Sequence, residues 1–202
     1  MGETRPGSSG PAPVGVSLPA DPAALARLRA GDEVLLTGPV FTARDATHER
    51  LLDELRITGA LPYGLAGQVL FYAGPTPPAA GRPVGAVGPT TAKRMDRATP
   101  ALLGAGIAAT IGKGPRSEDV RRACAEHGAV YFAAVGGVAA LLATHVREAE
   151  TIAYPELGTE ALVRLELDRF PAFVAIDARG EDLYLTAELE WRGAAGTEES
   201  EA

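Results

Sequence analysis

A chain of 202 residues with 46% hydrophobic and 22% charged side chains suits one compact domain with a substantial core. Its formal net charge of −7, with no basic block longer than a few residues, argues against a nucleic-acid or anionic-membrane surface as the main partner, because phosphate binding relies on clustered Lys and Arg. No run of about 18 apolar residues marks a membrane span, and Met1–Pro13 has no apolar h-region of a signal peptide, so a cytoplasmic location is expected.

In chain order, residues 1–13 are rich in Gly, Pro and Ser and read as a disordered tail. Asp21-Pro22 caps a short helix over Ala23–Arg29, and a strand follows at Glu33–Thr42. Leu51, Leu52 and Leu55 recur at helical spacing within Arg44–Arg56. Strands are expected at Gln68–Ala73 and Val84–Val87, separated by the Pro- and Gly-rich loop Gly74–Pro83. Thr99-Pro100 starts a short helix, and Ile107–Ile111 reads as a buried strand. Ser117 opens a helix with Glu118 and Asp119 in its first turn, favourable to the macrodipole, which ends near Gly128. The pattern continues as strand Ala129–Phe132, helix Val138–Val146, strand Glu150–Tyr154, helix Thr159–Leu165, strand Phe173–Ile176 and a last strand near Leu183–Thr186. Strands alternating with short helices indicate an α/β fold, and the strand-rich first half points to a mixed sheet. The expected domain is 14–191, with 192–202 a second disordered, acidic tail.

Three glycine-containing segments carry polar groups suited to an anion. Gly88-Pro-Thr-Thr-Ala-Lys-Arg-Met-Asp96 places two hydroxyls and two cations in a tight turn. In Ile111-Gly-Lys-Gly114 the glycines let the backbone approach a ligand while Lys113 presents its ammonium. Val135-Gly136-Gly137 stands at a helix entrance, where free N–H groups favour negative charge. Upstream, Thr42-Ala-Arg44-Asp-Ala-Thr-His48 follows a strand and opens a helix. Each segment also has a plain reading. Gly136-Gly137 can be close packing, Lys113 a solvated turn lysine, Arg44 beside Asp45 an exposed ion pair, and Thr90-Thr91 a helix cap. His48, His127 and His145 show no metal-ligand spacing. Collectively, strand ends carrying Arg, Thr, Arg and Lys match what a dicarboxylate requires: guanidinium forks for its carboxylates and a hydroxyl near its carbon chain. Neither a P-loop nor a dinucleotide fingerprint is present.

Taken in order, these segments, with Gly128-Ala-Val-Tyr-Phe-Ala-Ala-Val-Gly-Gly137, Tyr154-Pro-Glu-Leu-Gly158 and Phe170-Pro-Ala-Phe-Val-Ala-Ile-Asp177, resemble the β subunit, or C-terminal domain, of class I fumarases and L-tartrate dehydratases. The resemblance runs from about residue 15 to residue 187. It implies a swivelling β/β/α-type domain that pairs with a separate α subunit in a heterodimer or α2β2 assembly. It also implies a [4Fe-4S] cluster held by that α subunit through three cysteines. The lone cysteine here, Cys124, cannot hold such a cluster, so none is expected on this chain alone, and no metal ligand is assigned. Carried over residue by residue, Arg44 and Arg94 clamp substrate carboxylate, Thr90 is the base at the carbon next to the hydroxyl-bearing one, and Lys113 is the cation that supports it. Thr91, Gly112, Gly136 and Gly137 complete the substrate-binding set. Lys93 stands where relatives are expected to carry a small residue such as glycine. The motif details favour fumarate and malate over tartrate, with a mesaconase-like activity a further alternative. The contrasting reading is a stand-alone, non-catalytic dicarboxylate-binding module.

Overall fold

The computed structural model describes residues 12–198, so residues 1–11 and 199–202 of the two expected tails lie outside the described residues. The framework is a seven-stranded mixed sheet in the order β1-β2-β3-β4-β5-β7-β6. Its strands are β1 (Val14–Ser17), β2 (Glu33–Thr42), β3 (Val69–Phe71), β4 (Ala109–Gly112), β5 (Val130–Ala133), β6 (Val146–Ala153) and β7 (Leu162–Ile176). Strands β1 to β5 are joined by parallel pairings. Strand β7 pairs antiparallel with β5, with β6 and also with β2, and so closes β2-β3-β4-β5-β7 into a barrel-like ring. The fold is α/β with a mixed sheet, as the alternation of elements implies.

The period of two in each short parallel strand splits the core into an inner and an outer cluster. Val69 and Phe71, Ala109 and Ile111, and Val130 and Phe132 join side chains from all the other strands in one cluster that fills the ring. Their neighbours Leu70, Tyr72, Tyr131 and Ala133 face outward. That outer face is covered by α2 (Asp45–Thr58), α3 (Thr99–Gly104) and α4 (Glu118–His127), which contribute Leu51, Leu102 and Val120. Strands buried on both faces need near-continuous apolar runs, and Val-Leu-Phe-Tyr and Val-Tyr-Phe-Ala supply them. Helices α2 and α4 stop at Gly59 and Gly128, both left-handed, and each glycine N–H bonds back to the preceding turn.

Several expected elements are realised differently. The strand expected at Val84–Val87 is not formed; that stretch lies in a loop, with the Val87 N–H donating to the Ala139 carbonyl. The helix expected over Val138–Val146 shortens to α5 (Ala139–Leu142), and Val146 already begins β6. The helix expected at Thr159–Leu165 is overturned: Leu162 onward is strand β7. Leu165 and Leu167, then Phe170, Ala172 and Val174, are buried at alternate positions. The irregular step at Asp168–Arg169, where Arg169 has φ +51°, breaks the alternation in the sequence and hides the strand. The strand expected near Leu183–Thr186 is instead the start of α6 (Leu183–Glu198), capped by Asp182, whose Oδ1 accepts the Tyr184 N–H at 2.8 Å. The backbone of α6 continues past residue 191, so the expected start of the acidic tail falls inside this helix. No described helix is long and apolar enough to cross a membrane.

Gly38 marks an irregularity in the β2–β7 register, with φ +121°. A Cβ there would lie 2.4 Å from the Leu18 carbonyl oxygen, a backbone atom held by the bond from the Leu18 N–H to the Thr37 carbonyl. Gly38→Ala should therefore cost about 2–4 kcal/mol, combining positive-φ strain with a steric clash. Urea denaturation of the two proteins checks this; a midpoint unchanged from wild type would contradict it.

Candidate active site at the carboxyl ends of the parallel strands

Because β2, β3, β4 and β5 run parallel and adjacent, the residues that follow them emerge along one rim of the barrel. Arg44 follows β2, Gly74 follows β3, Lys113 follows β4 and Gly136-Gly137 follow β5. Carboxyl ends of parallel strands are the usual place for a ligand in an α/β sheet.

The Gly88–Asp96 turn is stitched across two of these ends. The Thr90 N–H donates to the Tyr72 carbonyl at 2.6 Å, the Lys113 N–H to the Thr90 carbonyl at 3.2 Å, and the Ala92 N–H to the Lys113 carbonyl at 2.9 Å. Thr91 forms a parallel bridge with Lys113, and Pro89 an antiparallel one with Ala73. Thr91 and Lys113 are thereby held in sheet-like register, with Thr90 one position before, although none of the three lies in a regular strand. Thr90 is half-buried and Thr91 exposed, as are Lys93 and Arg94 in the 3₁₀ turn that follows.

The glycines divide by what they face. A Cβ on Gly136 would lie 3.2 Å from Lys113 Cδ and 3.5 Å from its Nζ, so the bare backbone of Gly136 makes the bed for the lysine side chain. Gly112 is buried, and its side-chain position faces Ala92 and Tyr72 at 2.9 Å, so close packing forces glycine there. Gly137 is exposed, with φ +82° and open space where a side chain would be.

Both arginines are partnered. Arg44 Nη2 lies 3.4 Å from Glu160 Oε1, while Glu160 Oε2 accepts the Ala46 N–H in the first turn of α2 at 2.9 Å. Gly74 passes beneath the Arg44 guanidinium, where a Cβ would sit 3.0 Å from Nη1. Arg44 Nε is buried without a hydrogen-bond partner, an uncommon state for a guanidinium donor. Arg94 Nε donates to Asp45 Oδ1 at 3.0 Å and Nη2 lies 2.8 Å from Oδ2 as an ion pair, one hydrogen bond that leaves further guanidinium N–H groups to bind elsewhere. Beside it lies a cleft of about 260 Å³ lined by Asp45, His48, Glu49, Arg94 and Arg97 among others. A larger cleft of about 400 Å³ under the Pro75–Pro83 loop has no charged lining and offers a dianion no counter-charge.

Sequence reasoning passed over Glu160, which orients Arg44, and the buried Arg116, which bonds Asp96 in the same turn as Thr90. Glu160 closes the Tyr154–Gly158 motif region, and Arg116 follows Lys113 by three residues, but neither spacing announces its partner. Cys124 is buried, and burial pushes its thiol up to about 12, so it stays protonated and offers no thiolate to iron. Among the described residues no cluster of three His, Cys, Asp or Glu side chains is arranged to hold a metal ion.

The closed mixed sheet carries Arg44, Lys113 and the Thr90-Thr91 turn at the ends of its parallel strands, which makes that rim polar and basic. The chain belongs to the Fumarase C-terminus family, whose model matches residues 8–187. It is 40% identical over 151 residues to the anaerobic class I fumarate hydratase of Escherichia coli (strain K12), covering 74% of this chain and 28% of that protein. Fumarate hydratase 2 of Leishmania major is 36% identical over 162 residues, covering 79% of this chain and 28% of that protein. A putative L(+)-tartrate dehydratase subunit beta of Methanocaldococcus jannaschii is 34% identical over 164 residues, covering 78% of this chain and 84% of that subunit. The chain thus spans about 28% of the length of the two fumarate hydratases and most of the tartrate dehydratase subunit.

His48 yields a test of how this rim is packed. Its Nδ1 lies 2.8 Å from the Arg44 carbonyl, its ring meets Tyr72 edge-on at 5.1 Å, and Nε2 has no partner. Burial lowers its pKa from 6.5 to about 4, against the raising effect of the Arg44 carbonyl; Arg116 lowers it further and Asp45 raises it. Between those values the unfolded state binds the proton and the folded state does not, so stability falls as pH drops below 6.5. The destabilisation caused by His48→Gln should shrink by about 2 kcal/mol between pH 7 and pH 5. Denaturant titrations of both proteins at the two pH values check it; a difference independent of pH would contradict a neutral, buried His48.

Proposed function

We propose that this chain is the β half of a cytoplasmic class I fumarase-type hydro-lyase, interconverting fumarate and (S)-malate together with a separate α chain. The observation that carries the reading is the backbone pairing of the Thr90-Thr91 turn with Lys113, set beside the under-satisfied guanidinium of Arg44. In this proposal the α chain holds a [4Fe-4S] cluster, which supplies a Lewis acid for the substrate hydroxyl.

This chain's own residues bind the substrate and move its proton. Arg44 and Arg94 take the carboxylates, each guanidinium already oriented by Glu160 or Asp45, so little freedom is lost on binding. Thr90 accepts the proton from the carbon next to the hydroxyl-bearing one during dehydration and returns it during hydration. A threonine hydroxyl is far too weak an acid to exist as its alkoxide in water, so it needs local activation. In this proposal the ammonium of Lys113, whose side chain rests on Gly136 and whose N–H donates to the Thr90 carbonyl, stabilises that charge. Thr91 and the open backbone of Gly137 line the same rim and complete the pocket with hydrogen-bonding groups.

Tartrate as substrate is the second reading. It is favoured by one observation, the match across most of a subunit described as tartrate dehydratase β. Parallel hydration and dehydration assays on fumarate, malate, mesaconate and tartrate separate the two.

Arg94→Lys should not behave as a conservative change. A guanidinium makes two parallel bonds to a carboxylate while an ammonium is a single mobile charge. The loss of one charge-assisted bond, on the order of 1.5–3 kcal/mol, should lower kcat/KM for malate by roughly one to two decades in the reconstituted complex. Arg94 is half-exposed, so stability should barely change. Arg122→Lys is the control: Arg122 is exposed on α4 and pairs with Asp119 on the same helix. Equal kcat/KM for both variants and wild type would remove Arg94 from the site.

A further inference from the structure

We infer that the buried Arg116–Asp96 pair is the positioning element of this site, a tether that holds the turn bearing Thr90 and Arg94 against the strand end bearing Lys113. The inference rests on the functional reading above for what is being positioned, but not for the tether itself.

The Arg116 side chain is fully buried, at 0% exposure, and Asp96 nearly so at 12%. Arg116 Nε donates to Asp96 Oδ1 at 2.7 Å, and Nη2 donates to Thr99 Oγ1 at 2.7 Å. The guanidinium carbon lies 4.8 Å from the centre of the Tyr131 ring and 5.2 Å from that of Tyr72. Asp96 Oδ2 accepts the Ser117 N–H at 2.7 Å, so both carboxylate oxygens bind the segment that follows Lys113. Thr99 in turn donates to the Met95 carbonyl at 2.9 Å and lies 3.0 Å from the Tyr72 hydroxyl.

The pair joins the two segments that carry the chemistry. Asp96 stands two residues after Arg94 and six after Thr90; Arg116 stands three after Lys113. Without it, the Gly88–Asp96 turn is held to β4 by the backbone bonds at Thr90, Ala92 and Lys113 and by isolated bridges, with no continuous ladder behind them. A merely stabilising role is a poor account of such a pair. Burying two charges costs desolvation that largely offsets their attraction, and apolar side chains of similar volume often serve a core as well or better. What an apolar pair cannot supply is direction. Three bonds to Asp96 and Thr99, with two aromatic faces against the guanidinium, allow one relative placement of the segments. That placement sets where the Thr90-Thr91 turn stands relative to Lys113, and an error of about 1 Å at such a point can cost a hundredfold in rate.

Two variants test the tether without emptying the space. Asp96→Asn keeps the size but loses one of two acceptors, and Arg116→Lys keeps the charge but cannot reach Asp96 and Thr99 together. Leu28→Ala is the stability control, since Leu28 is buried in the inner cluster near the amino-terminal end of β2. Hydrogen exchange is followed by mass spectrometry in the full-length chain, on peptides covering 88–96 and 109–116, at equal intervals below each melting temperature. Values of kcat and KM for fumarate are measured with the α chain present. Both tether variants should exchange at least tenfold faster in the two segments and lose at least tenfold in kcat, whereas Leu28→Ala stays within twofold on both. Exchange within twofold of wild type overturns the tether whatever the activity. Faster exchange with unchanged kcat overturns the positioning role. If wild type acts on none of the dicarboxylates, the functional reading fails and the exchange comparison alone decides whether the tether stands.

Discussion

Closure of the sheet by β7 is the constraint from which the rest of the molecule follows. This 15-residue strand pairs with β2 along one part of its length and with β5 along another, turning an open parallel sheet into a ring. Closure removes the exposed edges that β2 and β5 would otherwise present. It also encloses a core in which Phe71 meets Phe170 edge-on, with ring centres 5.4 Å apart. With the ring closed, the four parallel strands cannot slide, and their carboxyl ends are confined to one arc. The site is a consequence of that arc.

Electrostatics then works locally against the global balance. The protein carries a net charge of −7, yet Arg44, Arg94 and Lys113 gather on one rim, and Glu160 and Asp45 orient the arginines rather than being spread at random. On the proposed reading such a concentration is required, because long-range attraction of a dianion by the rest of an acidic surface is unfavourable. Each guanidinium already has a carboxylate neighbour, Glu160 for Arg44 and Asp45 for Arg94. Lys113 differs, since its restraint is the bare backbone of Gly136 and its own main-chain bonds to the Thr90 turn.

Much of this was legible in the sequence. Strand β2 was readable to its bounds, because Glu33–Thr42 is rich in Val, Leu and Phe and follows the Gly31-Asp32 turn. The family motifs named the rim residues, and the structure brings Thr90, Thr91, Lys113, Gly112 and Gly136 together at the ends of β3, β4 and β5. Strand β7 was half hidden, since the left-handed Arg169 interrupts its period and Leu162–Leu165 alone resembles a helical turn. The start of α6 was misread because Leu-Tyr-Leu-Thr has strong β propensity, which Asp182 overrides by capping. Arg116 left no trace at all. Its partners Asp96, Thr99 and Thr110 are dispersed along the chain, and only the packing of α3 and α4 against the sheet makes them neighbours. Short-range patterns report elements; buried polar networks are properties of the closed fold.

The central claim is that this barrel rim is one half of a hydro-lyase site whose other half lies on a second chain. It is tested most directly by producing the chain anaerobically, alone and together with an α chain carrying a [4Fe-4S] cluster, and following fumarate consumption by its ultraviolet absorbance. The account predicts that the chain alone is colourless and inactive and that the loaded complex forms malate. A loaded complex that hydrates none of fumarate and mesaconate and dehydrates neither malate nor tartrate, or an isolated chain active without its partner, would contradict it.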